Sequence, residues 1–69
     1  MKLPLVIVGP GRLGRSAQFL LSHSGHDAHL VGRHDQIPAA EVTWLTVPDR
    51  AIVEVSHQVP SGGIVLHAS

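Results

Sequence analysis

The stretch VIVGPGRLG, residues 6–14, joins an apolar β-branched run to three glycines spaced as GxGxxG. Few local structures accept that order. Leu5 to Val8, bounded by Pro4 and Gly9, reads as a strand buried on both faces, with Pro4 limiting its backward extension. After Gly14 the period changes. Leu13, Ala17, Leu20 and Leu21 recur three and four apart, which draws one apolar stripe on a helix from about Arg12 to Ser24. Gly25 ends that helix, because a left-handed residue is unstrained without a Cβ.

A second strand is expected at Asp27 to Val31, completing a βαβ unit. The following HDQIPAAE, residues 34–41, is a connection with Pro38 in it, too short for a good helix. VTWLTV, residues 42–47, has the β-branched and aromatic content of a third strand, stopped by Pro48. Asp49 is placed to cap a helix from about Arg50 to Gln58, which tertiary packing must hold because three of its residues, Ile52, Val53 and Val55, are β-branched and apolar. PSGG, residues 60–63, is a turn into a fourth strand at Ile64 to Leu66. The expectation is therefore α/β, ordered β-α-β-link-β-α-β, a half-sized doubly wound parallel sheet with helices on both faces.

Bulk properties limit what such a chain can be. At 69 residues it is one domain, spanning residues 1–69, and a chain of this size buries only about 60% of its unfolded surface. An apolar content of 43% demands a core. Cysteine is absent, which removes disulfides and thiolate zinc ligands as staples and fits a cytoplasmic setting. Five basic residues balance five acidic ones without clustering, so no footprint for nucleic acid is expected. No apolar run is long enough to cross a membrane. His23, His26 and His29 are evenly spaced, but a helix end, a turn and a strand separate them, so no metal site is expected. Neither a carboxylate pair nor a GxSxG elbow is present, and a complete active site is not expected from this chain alone.

The glycine loop carries the strongest chemical signal. Gly9 would make the tight turn out of the strand, Gly11 would let the backbone approach a pyrophosphate, and Gly14 would let the helix lie close to the strands. The diphosphate would meet the free N–H groups at Arg12 and Leu13, where the helix dipole favours an anion. Pro10 fits because its missing N–H falls at a loop position. The residue at the end of the second strand is Gly32, followed by Arg33 and His34. With no carboxylate there and a guanidinium able to pair with a 2′-phosphate, NADP is expected over NAD.

LVIVGPGRLGRSAQFLLSHSGHDAHLVGR, with LTVPDRAIVEV at residues 45–55 and GGIVLHAS at residues 62–69, resembles the Rossmann-like NAD(P)-binding domains of the pyrroline-5-carboxylate reductase and ketopantoate reductase superfamily. It is most similar to the branch in which such a domain precedes a helical domain of unknown function. The resemblance implies a minimal Rossmann-like three-layer domain that binds a dinucleotide as part of an oxidoreductase-like protein. Gly9, Pro10, Gly11, Arg12, Leu13 and Gly14 would line the pyrophosphate, and Arg33 the adenosine phosphate. Val47 and Pro48 would border the nicotinamide-side ribose, with His67 to Ser69 approaching the nicotinamide. It also implies a further helix and strand where only HDQIPAAE stands, and a C-terminal substrate domain beyond HAS; the chain reads as a shortened member. Two other readings stay open: a small module that associates with itself or a partner and keeps a vestigial loop, and the nucleotide-binding part of an NADPH-dependent reductase completed by another chain.

Overall fold

The computed structural model describes residues 2–9, 11–32 and 35–67. Its elements are β1 (Leu3–Val8), α1 (Arg12–His23), β2 (Ala28–Val31), β3 (Ala40–Leu45), α2 (Asp49–Ser56) and β4 (Ile64–His67). They form an α/β domain around one four-stranded, all-parallel sheet of order β2-β1-β3-β4. No helix is long and apolar enough to cross a membrane among the described residues.

The two helices cover opposite faces. Ala17 of α1 packs on Ile7 and Ala28, with Leu5, Leu21, Leu30 and Trp44 around them. Ala51 and Val55 of α2 pack on the other face with Val6, Val8, Leu45 and Val47. Sheet order explains the division. The chain steps from β1 to β2 in one direction and from β3 to β4 in the other, and crossovers of one hand that travel in opposite directions fall on opposite faces. The link between β2 and β3 travels in the same direction as α2 and shares its face, where Ile37 is only 4% exposed within the cluster of Val6 and Val8. A single plugged side chain thus occupies the place a crossover helix would fill.

Several boundaries differ from expectation. β1 begins before Pro4, not after it, because the missing donor is harmless there. Leu3 N–H donates to Ala39 O on the β3 side (3.0 Å), so Pro4 turns its nitrogen toward β2, whose pairing starts only opposite Leu5. β3 lies two residues earlier than expected, Ala40–Leu45 in place of 42–47, since Leu3 pairs with Ala40 and the chain leaves the sheet after Leu45. α2 begins at Asp49. Asp49 does not cap it: Pro48 is the capping residue, no side chain bonds the helix end, and Asp49 sits in the first turn, where its charge complements the dipole.

Gly25 does stop α1. Its φ is +89°, and the amides of Gly25 and His26 return to Ser22 O (3.2 Å) and Leu21 O (2.9 Å), the paired bonds of a Schellman turn. At the start of β4, a Cβ on Gly63 would meet the Ala40 carbonyl oxygen, so that turn also requires its glycine.

Candidate functional site

In an open parallel sheet, ligands lie beyond the carboxyl ends of the strands, where neighbouring strands send their connections to opposite faces. Here that place is between β1 and β3, which are adjacent and lead into α1 and α2. Two segments border it: the glycine loop after β1, and Thr46 to Asp49 after β3.

The loop is built by reversal of one peptide unit. Leu3 N–H bonds toward β3, and strand alternation would aim the amide of Gly9 the same way. Instead Gly9 N–H donates to Val31 O in β2 (2.9 Å), while Val8 O accepts from Thr46 N, the residue just after β3 (2.9 Å). The Val8–Gly9 peptide is turned over. Gly9 has φ +118°, a conformation that L side chains rarely adopt, and a Cβ there would lie 2.6 Å from Thr46 Oγ1.

Gly14 serves the same joint from the helix side. It is buried in α1, and a Cβ on it would run into the Gly9 carbonyl oxygen. Helix and loop therefore touch backbone to backbone. Thr46 closes the arrangement: its hydroxyl donates to Val8 O at 2.9 Å, with Gly9 O at 3.3 Å. Thr46 is not among the residues that the glycine motif marks.

Gly11 is different. Its φ of −72° and ψ of −172° suit any residue, and a Cβ added to it would meet nothing within 4 Å. It stands at the N-cap of α1, which has no side-chain cap and no acidic residue in its first turn. Arg15 N–H reaches Gly11 O (3.0 Å) as the first helical bond among the described residues, so the amides of residues 12–14 precede it at the crevice end of the helix, where no side chain caps them. Arg12 and Leu13 are exposed beside them.

The remaining candidates divide. Pro48 is exposed at the crevice, whereas Val47 is 4% exposed and packs in the α2-side core, so Val47 has only backbone to offer a ligand. His67 is exposed and pairs with Leu45, which pairs with Val8. It is thus level with the end of β1, two strands or about 10 Å away. Pro10, Arg33, Ala68 and Ser69 lie outside the described residues.

One group at the β2 end was not foreseen. Asp35 folds back so that its Oδ2 accepts the Gly32 amide at 2.9 Å. The expectation of no carboxylate at this strand end is therefore corrected: the side chain comes from three residues on, and Asp35 N–H also donates to Gly32 O (3.0 Å). The spaced histidines go to separate surroundings. His23 stacks on Phe19 with ring centroids 4.9 Å apart, His26 borders an apolar trough at the opposite end of the sheet, and His29 Nε2 lies 3.3 Å from Asp27 Oδ1. Comparison with protein families, with curated proteins and with solved structures finds no match to this chain.

Proposed function

We propose that this chain is a dinucleotide-binding domain of Rossmann-like type, holding NADP for an oxidoreductase-like protein and not catalytic by itself. The observation that carries the reading is Gly11. Gly9 and Gly14 are demanded by the joint between strand and helix, so their presence says nothing about a ligand. Nothing in the fold demands glycine at Gly11. Aspartate or serine would cap α1 better, but either would place a side chain over the free amides. Glycine leaves them open to an anion, which is what a pyrophosphate needs.

In this reading the diphosphate rests on residues 11–14, the second ribose passes Pro48, and the nicotinamide lies toward His67. When bound, the cofactor supplies hydride chemistry; this chain supplies orientation and charge complementarity. Arg33 would select the 2′-phosphate of NADP. The carboxylate of Asp35 favours a second reading, NAD, because at the end of β2 it can accept hydrogen bonds from an unmodified ribose.

Titration with NADPH, followed by cofactor fluorescence and calorimetry, tests both. Gly11→Ala is expected to abolish binding while changing the unfolding free energy, measured in urea, by no more than about 1 kcal/mol. Arg33→Ala should weaken NADPH selectively, and Asp35→Ala should weaken NADH selectively. Binding that survives Gly11→Ala, or a folded wild-type chain that binds neither cofactor, would end the proposal.

A further inference from the structure

We draw no further inference here: the strongest candidate, the apolar trough beside α1 lined by Leu5, Leu21, Val42, Trp44 and Leu66, carries nothing because nothing in the structure shows what covers it.

Discussion

Three residues hold the joint between β1 and α1, and each does so for a separate reason. Gly9 takes a backbone conformation closed to side chains, Gly14 brings the helix against the Gly9 carbonyl, and the Thr46 hydroxyl fastens the reversed peptide to β3. Gly14→Ala should be the most damaging substitution of the three, because its methyl group would meet backbone that cannot move aside; a loss of 3 kcal/mol or more is expected, roughly the range of core overpacking and beyond. Thr46→Val keeps the shape and removes the donor, so about 1 kcal/mol is expected. Urea denaturation of the purified variants measures both, and Thr46→Val costing nothing would show that the strut does not hold the loop. The two glycines were legible as a motif. Thr46 was not, since its role exists only once β3 lies beside β1.

Among the elements, the link between β2 and β3 departs furthest from what a doubly wound sheet ordinarily uses. It crosses the α2-side face with no helix among its described residues, and Ile37 is the side chain that seals it. Ile37→Ala should cost about 2–5 kcal/mol, the cavity penalty for a buried aliphatic residue, which is a large part of the stability of a domain this small. A chain that remains folded with an unchanged denaturation midpoint would mean the link is not part of the core. The boundary shifts have the same origin. Pro4 joins β1 and β3 starts at Ala40 because pairing with a neighbouring strand, and not local propensity, sets where a parallel strand begins.

For the whole molecule the governing quantity is uncovered apolar surface. Val6, Ile7 and Val8 are fully buried, so β1 is the centre of a real core, yet β4 at the sheet edge is exposed along its length. That edge carries Ile64, Val65 and Leu66, each at least 44% exposed.

What the sequence by itself determined were the features with short memory along the chain: the β-branched runs, the helical stripe, the Gly25 stop and the glycine turns, each set by sterics and periodicity within a few residues. Tertiary structure alone decided the strand order β2-β1-β3-β4, the reversed Val8–Gly9 peptide, the return of Asp35 to Gly32, and which part of the α1 stripe is covered. Those depend on which segments lie side by side after the chain closes on itself, and hydrogen bonds and contacts between distant residues leave no periodic mark in the order of amino acids.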